Sequence, residues 1–469
     1  MAGLKNIFTV CFILSPLFCF CLVLNVKDYG AKGNGRTDDT YAFQNAVDFL
    51  KNKGGGILQI PPGNYPITFL KFFGKEYSNI SLLGNNANIL QSISGHRKSV
   101  LGNKFQTFAQ RFAADGCFVF DAQVANQKDD RNSIKNIKIS GLNFISDVKK
   151  HSFDELLHQI SAHGVSNFTV ENCSFTGFLG DGIAINGATD FSKYRNAYNK
   201  DVYVRNCTFD GINKNNRQGI SIYYSDGFTI EHCIFKNSTR DDMPGAIDIE
   251  PDSPANVSRN GTIRNCKFFN IGGLGAIAIS LRKSTAENHF SNNGYHIYDC
   301  TFDDVNSPLT ITGSNTFPLK PGKNYTVTFK NVSVFKSKTA FRVINASGIM
   351  FENVGFKSVN FPMHMPVTGK LSSNILLKAC QFRNLSSSRE FIFYGSVKNL
   401  LFLDCIFKGD EIKRIEYKSI KSTDKWSNIY FYLFLLVHYS LYLSILLGVG
   451  LLVALSRKIY INAMNKRNK

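Results

Sequence analysis

Several things are missing from this 469-residue chain, and each omission removes a class of protein. There is no Cys/His spacing suited to zinc, no helix-turn-helix pattern and no sheet motif that interleaves basic and aromatic residues. Nucleic-acid binding therefore has no support in spite of a formal net charge of +19. The 3.6-residue periodicity of paired helices is absent from the middle of the chain, which excludes TPR and HEAT arrays. The 11 cysteines do not form a short, loop-rich disulfide framework.

Acidic residues are also scarce, 35 Asp and Glu against 54 Lys and Arg. Part of the imbalance is local. Arg457, Lys458, Lys466, Arg467 and Lys469 crowd the last residues, and more basic residues lie between Lys408 and Lys425. The rest is either a solvated surface or a preference for an acidic partner, such as a uronate-containing polysaccharide or an anionic glycan.

What the chain does have is a repeated phrase. An apolar strand ends in Asn-Cys-x-Phe, and about ten residues later Gly-Ile-x-Ile answers it. The copies read Phe168 to Phe175, Val202 to Phe209, Phe228 to Phe235, Thr262 to Phe268 and Tyr295 to Phe302. Looser copies follow at Asn331-Val332, Asn353-Val354, Cys380 with Phe382, and Asp404-Cys405 with Phe407. The period drifts between roughly 22 and 34 residues, the range of a solenoid.

Alternation of apolar and polar residues, rich in β-branched and aromatic types, makes each period a coil of short strands. Coils stacked about 4.8 Å apart bring equivalent residues into columns. Cys and Phe suit interior columns, where the cysteines would sit as buried thiols, and Asn at a turn could hydrogen-bond its copies above and below. The predicted fold class is all-β, a parallel β-helix.

Both chain ends carry apolar runs. Ile7 to Leu24 reads as a secretory leader without a clean small-residue cleavage site, so residues 1–23 are a signal peptide or an N-terminal anchor. Residues 428–455 are long and apolar enough to span a bilayer, with Trp426, Tyr430 and Tyr432 as an interfacial belt. The positive-inside bias then places the basic tail, 456–469, in the cytoplasm and the solenoid outside the cytoplasm, joined by a stalk at 411–427. The β-helix domain is expected over 24–410, a membrane partner through the C-terminal helix, and no nucleic acid.

After the leader comes Asp28-Tyr29-Gly30-Ala31-Lys32-Gly33-Asn34-Gly35-Arg36-Thr37-Asp38-Asp39-Thr40, then Phe43, Ala46, Val47 and Leu50 at helical spacing. Asp38, Asp39 or Thr40 could cap that helix. Laid across the first coil, it would cover an apolar rung that a solenoid otherwise exposes. Gly54-Gly55-Gly56 and Pro61-Pro62-Gly63-Asn64-Tyr65 return as strand and turn.

This block resembles the start of the pectate-lyase-like superfamily, specifically the rhamnogalacturonase and epimerase-like pectate lyase domains, and with the repeats the resemblance covers about residues 24–410. It implies a right-handed parallel β-helix acting on acidic or complex polysaccharides. It does not fix the reaction, because the family includes hydrolases, lyases, epimerases and glycan binders. In polygalacturonase-like members an Asn-Thr-Asp, an Asp-Asp, a Gly-His-Gly and an Arg-Ile-Lys set would be expected. Here Gly180-Asp181-Gly182 matches the second in part, Arg217-Gln218-Gly219 stands where the histidine motif would fall, and no Arg-Ile-Lys follows.

Aligned copies of the Gly-Ile strand, 182–186, 219–223, 246–250 and 276–280, should form one sheet whose outward residues share a groove. His158-Gln159-Ile160-Ser161 fits the same register, and Leu309-Thr310-Ile311-Thr312 would follow. Asp248 and Glu250 stand out there, two apart on one strand with Cα atoms about 6.5 Å apart, within reach of a glycosidase carboxylate pair. Asp181, Asp241, Asp242 and Asp252 add carboxylates, and crowding should raise some of their pKa values as a general acid requires.

The candidate catalytic residues are Asp248, Glu250 and Asp181. Arg282 could orient a sugar carboxylate, Tyr223 and Tyr224 could stack on a sugar ring, and Ser221, Asn186 and His158 complete the substrate-binding set. The alternatives at the acidic pair are a solvated turn and a structural calcium. No cofactor is otherwise implied; calcium would also enter if the reaction is a lyase. His163 and His289 read as surface or satisfied histidines. Three functional readings stand: a polysaccharide hydrolase, a uronate lyase or epimerase, and a non-catalytic glycan-binding scaffold. Sequons at Asn79, Asn237, Asn256 and Asn324 would be open to glycosylation in a eukaryotic secretory setting, whereas Asn172 and Asn206, in the predicted ladder, should stay bare.

Overall fold

The computed structural model describes residues 22–420 except 93–115, 124–128, 152–153, 155–156, 187–197, 213–215, 252–255, 281–293, 314–324, 362–363, 366–370, 384–391, 394–395 and 408–409. It is a parallel β-helix. Each coil contributes three strands. Two belong to one large sheet, and the third joins a separate sheet of eleven strands, running from Leu70–Phe73 through His158–His163, Ile183–Asn186, Ile220–Ile222, Ile247–Ile249 and Ile277–Ser280 to Ile392–Phe393.

The columns expected inside are present. Phe144, Phe175, Phe209, Phe235, Phe268 and Phe302 stack ring on ring, with centroids 5.1, 4.7, 4.8, 5.0 and 4.6 Å apart and planes within 7° of parallel. Such stacking adds to the burial of each ring. Beside them run Cys173, Cys207, Cys233, Cys266 and Cys300, buried and unbridged. Each thiol from Cys207 to Cys300 points at a carbonyl of the preceding coil, at Val170, Val204, Ile230 and Ile263. Desolvation holds Cys173 well above the usual thiol range, and at Cys300 the hydrogen bond with Cys266, then desolvation, does the same, as suits core groups rather than nucleophiles.

The glycine of the Gly-Ile phrase has a packing reason. A Cβ on Gly182 would lie 3.0 Å from the Phe209 ring and 2.7 Å from the Gly219 carbonyl, and one on Gly219 would lie 3.0 Å from the Phe235 ring. The repeat therefore pairs each glycine with the phenylalanine of the next coil.

The asparagine of the phrase does something other than the expected laddering. Asn172, Asn206, His232, Asn265 and Asp299 all take φ between 53° and 56°, the left-handed region that Asn and Asp tolerate best among residues with side chains. Their role is the bend between the first and second strands of a coil. The amide ladders run elsewhere, through Asn79, Asn136 and Asn167 (2.8 Å at each step), and through Asn64, Asn88 and Asn143 (2.7 and 3.1 Å).

The sequon expectation changes accordingly. Asn172 and Asn206 are exposed, Asn79 and Asn237 are engaged in side-chain hydrogen bonds along the solenoid, and Asn256 is fully buried with Nδ2 donating to the Tyr223 carbonyl at 3.4 Å.

The helix Thr40–Asn52 buries Phe43, Ala46, Val47 and Leu50 over the first coil, as the periodicity predicts. Asp39 occupies the N-cap position but does not cap. Its carboxylate instead accepts the Lys32 amide at 2.6 Å and the Gly33 amide at 2.9 Å, while Asp38 Oδ1 accepts the Thr40 amide at 2.9 Å. Gly33 sits at φ +61°, and a Cβ there would meet the Tyr65 ring at 2.7 Å. The two halves of the opening block thus close on each other. Backbone bonds between Gly33, Gly35 and Asn64 and the Tyr65 hydroxyl on the Pro61 carbonyl at 2.8 Å complete the contact.

At the other end, Asp410–Ile420 forms a strand antiparallel to Ser396–Phe407. The sheet thus continues past the boundary expected at 410 and ends on a reversed strand, which occupies the open edge of the last coil. Residues 1–21 of the leader, residues 428–455 and the basic tail lie outside the described residues, whereas Val23–Asn25, at the expected end of the leader, is already a strand paired with Gly56–Ile60. Among the described residues no helix is long and apolar enough to cross a membrane.

Candidate active site

The register of the eleven-stranded sheet builds the site. Ser161, Ala184, Ser221, Asp248, Ala278 and Thr310 are successive partners in one outward column. Isoleucines on either side of Ala184, Ser221, Asp248 and Ala278 point into the core. His163 pairs with Asn186 in the next column, and Glu250 follows one residue beyond the strand that carries Asp248.

The expected open groove is not what this column forms. His158, Asp181, Asn186, Gln218 and Asp248 are 0% exposed and Ser221 is 1% exposed. Polar side chains one coil apart are close enough to satisfy one another, and they do so instead of facing solvent. The Tyr223 and Tyr224 rings are likewise buried and present no free face for a sugar; Tyr224 packs edge-on against Tyr198 at 5.8 Å, and burial raises its hydroxyl to about 12. Arg282, Asp252, His289 and Asn324 lie outside the described residues.

Asp181 is the hub. Arg217 Nη1 lies 3.3 Å from its Oδ1 and 3.5 Å from its Oδ2, and the Ser221 hydroxyl donates to Oδ2. His158 Nδ1 is 3.3 Å from Oδ2 but accepts the Asp181 backbone N–H at 3.0 Å. An accepting Nδ1 carries no proton, so this contact is not an ion pair. Desolvation agrees, pushing His158 down to about 4 against the opposing pull of Asp181. The ion pair of this hub is Arg217 with Asp181. Nearby, Asn186 Nδ2 donates to Ser161 Oγ at 3.0 Å, and Ser161 Oγ lies 3.3 Å from His163 Nε2.

Asp248 is built differently. Gln218 Nε2 donates to its Oδ2 at 3.1 Å, whereas Oδ1, equally buried, has no hydrogen-bond partner among the described residues. Burial, then the charge of Glu250, holds the Asp248 carboxyl well above the usual carboxylate range, with Arg217 pulling the other way. Burial thus outranks the crowding expected from sequence. Glu250 is half-buried at the strand exit. Asp242 lies outside the cluster, paired with Arg240 and held low by it.

Arg217 and Gln218 are the residues that the linear reading passed over. They stand one coil from both acids, and the signal was their place in the alignment with Asp181 and Asp248. Among the described residues no group of three or more His, Cys, Asp or Glu side chains is arranged to hold a metal ion. A separate concave corner of about 500 Å³ lies before the strand of Asp248, lined by Asp241, Asn270, Asn306, Lys336 and Lys338 among others.

Residues 23–243, the opening block and the first half of the solenoid, match the family model described as rhamnogalacturonase A/epimerase, pectate lyase-like. That stretch carries the pectate-lyase-like signature. The solved exopolygalacturonase of Thermotoga maritima superposes with a TM-score of 0.60 over 86% of this chain and 95% of its own, at 13% identity, which establishes a shared fold. Mannuronan C5-epimerase AlgE6 of Azotobacter vinelandii is 32% identical over 103 residues, 19% of this chain and 11% of the epimerase. The pre-neck appendage protein of Bacillus phage phi29 is 27% identical over 286 residues, 53% of this chain and 31% of the phage protein. The chain spans less than half the length of these curated relatives.

Proposed function

We propose that this pectate-lyase-like domain is a polysaccharide-cleaving enzyme in which Asp248 is the proton donor, Glu250 the base or nucleophile, and Asp181 a fixed carboxylate that holds Arg217 against the pair. The observation that carries the reading is the Asp248 carboxyl: buried, raised well above the usual carboxylate range by burial and by the charge of Glu250, and with an Oδ1 that no described residue engages. A general acid needs a proton retained near neutral pH and not already given to a protein acceptor. Glu250, two residues on and half-buried, is the member of the pair nearer the surface, so substrate meets the acids from the strand exit. The substrate class follows from relatives that are by name polysaccharide-acting enzymes, and from the basic balance of the chain.

In the same reading, residues 428–455 tether the domain to the membrane with the β-helix outside the cytoplasm. Carbonate-resistant membrane fractionation of the full chain tests that part.

Asp248→Asn and Glu250→Gln, assayed on polygalacturonate, alginate and neutral glycans, test the chemistry. Turnover should fall by two to four orders of magnitude, the range typical of lost general acid–base catalysis. Unchanged turnover in both variants removes the assignment. Products that absorb in the ultraviolet would replace hydrolysis with β-elimination, and altered uronate configuration without cleavage would indicate an epimerase. One observation favours a second reading, a glycan-binding scaffold without turnover: the Asp181 and Asp248 side chains are sealed from solvent. Retention of a glycan with no product would support it.

A further inference from the structure

The outward column of the eleven-stranded sheet continues beyond Asp248. Register pairs Asp248 with Ala278, Ala278 with Thr310, and Thr310 with Arg342. Phe341 and Val343 on either side of Arg342 are core residues, so Arg342 projects from the same face as Asp248. The two residues between are small. Three steps of about 4.8 Å put Arg342 roughly 14 Å from Asp248 along the solenoid axis, the reach of a short oligosaccharide.

Arg36 and Arg383 face no carboxylate, but both are exposed; of the described arginines that are partly or fully buried, Arg342 is the one that faces none. Arg205, Arg217, Arg259, Arg264 and Arg414 each face a carboxylate at 2.5–3.3 Å. Arg342 has no carboxylate partner among the described residues, and its Nε is shielded from solvent with nothing to bond. It is partly buried, and desolvation lowers its pKa. A guanidinium removed from water without a counter-charge is costly, and a bound anion relieves that cost.

We infer that Arg342 is a receptor for the carboxylate of a uronic acid residue, holding an acidic sugar three coils from Asp248 along the same face. The inference rests on the proposed polysaccharide function for its substrate and deepens it by naming the sugar class. A planar fork of N–H donors matches a carboxylate in two hydrogen bonds, which a sugar hydroxyl cannot reproduce. Lys at this position would keep the charge and lose the fork.

The test is calorimetric binding by the full-length protein carrying Asp248→Asn, with hexagalacturonate and its fully methyl-esterified counterpart as probes. Binding of the acid form should be salt-sensitive, and Arg342→Met should weaken it at least tenfold while changing the ester by less than twofold. Arg342→Lys should retain part of the affinity, and thermal unfolding of each variant checks that it is folded. Equal weakening of both probes, no change in either, or no binding of the acid form by the parent overturns the proposal. Turnover by the natural chain with unchanged Arg342→Met affinity would remove the receptor and leave the enzyme. Arg342-dependent binding without any turnover would do the reverse.

Discussion

The Arg217 guanidinium lies 3.3 Å from Asp181 Oδ1, and both side chains are buried, Asp181 completely and Arg217 to 10% exposure. The two come from neighbouring coils, 36 residues apart in the chain. A pair buried this deeply is fragile to the loss of one member.

Arg217→Met should therefore cost about 3–5 kcal/mol, because it strands the Asp181 charge without its partner. Chemical denaturation measures it. The double variant Arg217→Met with Asp181→Asn should recover much of that loss, since the uncompensated charge is gone; no recovery would mean that the arginine acts through packing alone.

Acid–base behaviour should expose two buried groups acting in opposite directions. His158 titrates near 4 when folded and near 6.5 when unfolded, so the unfolded chain takes up its proton first. Stability tied to His158 is complete above pH 6.5 and is lost as pH falls toward 4. Asp248 is raised when folded, so the folded chain holds more protons above the unfolded value of 3.8, and stability tied to it declines as pH rises from there. His158→Gln should flatten the acid limb of a stability–pH curve, and Asp248→Asn should raise stability at neutral pH. Unfolding midpoints measured from pH 4 to 8 decide both.

The bend at Asn172 separates two roles for the repeated asparagine. If its left-handed φ of 53° is what matters, Asn172→Gly should stay within about 0.5 kcal/mol of the parent, and Asn172→Val should lose about 1–2 kcal/mol. If an amide ladder mattered, both would lose stability equally.

Phe209 lies between Phe175 and Phe235 at 4.7 and 4.8 Å. Phe209→Ala should lose about 3–5 kcal/mol, the range for a large aromatic removed from a packed core. Phe209→Leu should lose less, and denaturant midpoints will rank them.

Much of the architecture was readable because it repeats. The Cys and Phe columns, the capping face of Phe43, Ala46, Val47 and Leu50, and the alignment of Ala184, Ser221 and Asp248 all follow from local periodicity. The reading of Asn172 failed because a bend and a ladder favour the same residue type, and only φ separates them. The groove failed for another reason. Exposure of an outward side chain depends on what lies over it and on whether its neighbours bond to one another, as Ser221 does to Asp181 and Gln218 does to Asp248.

The sequence alone determined the period, hence the stacking, the inward residues and the column that holds the acids, because a two-residue alternation within a fixed coil leaves little freedom of register. Tertiary structure alone decided which polar groups meet. Arg217 closes on Asp181, Gln218 on one oxygen of Asp248, and Arg342 is left without a counter-charge among the described residues, since pairing depends on distances of a few ångströms between coils that no linear spacing encodes.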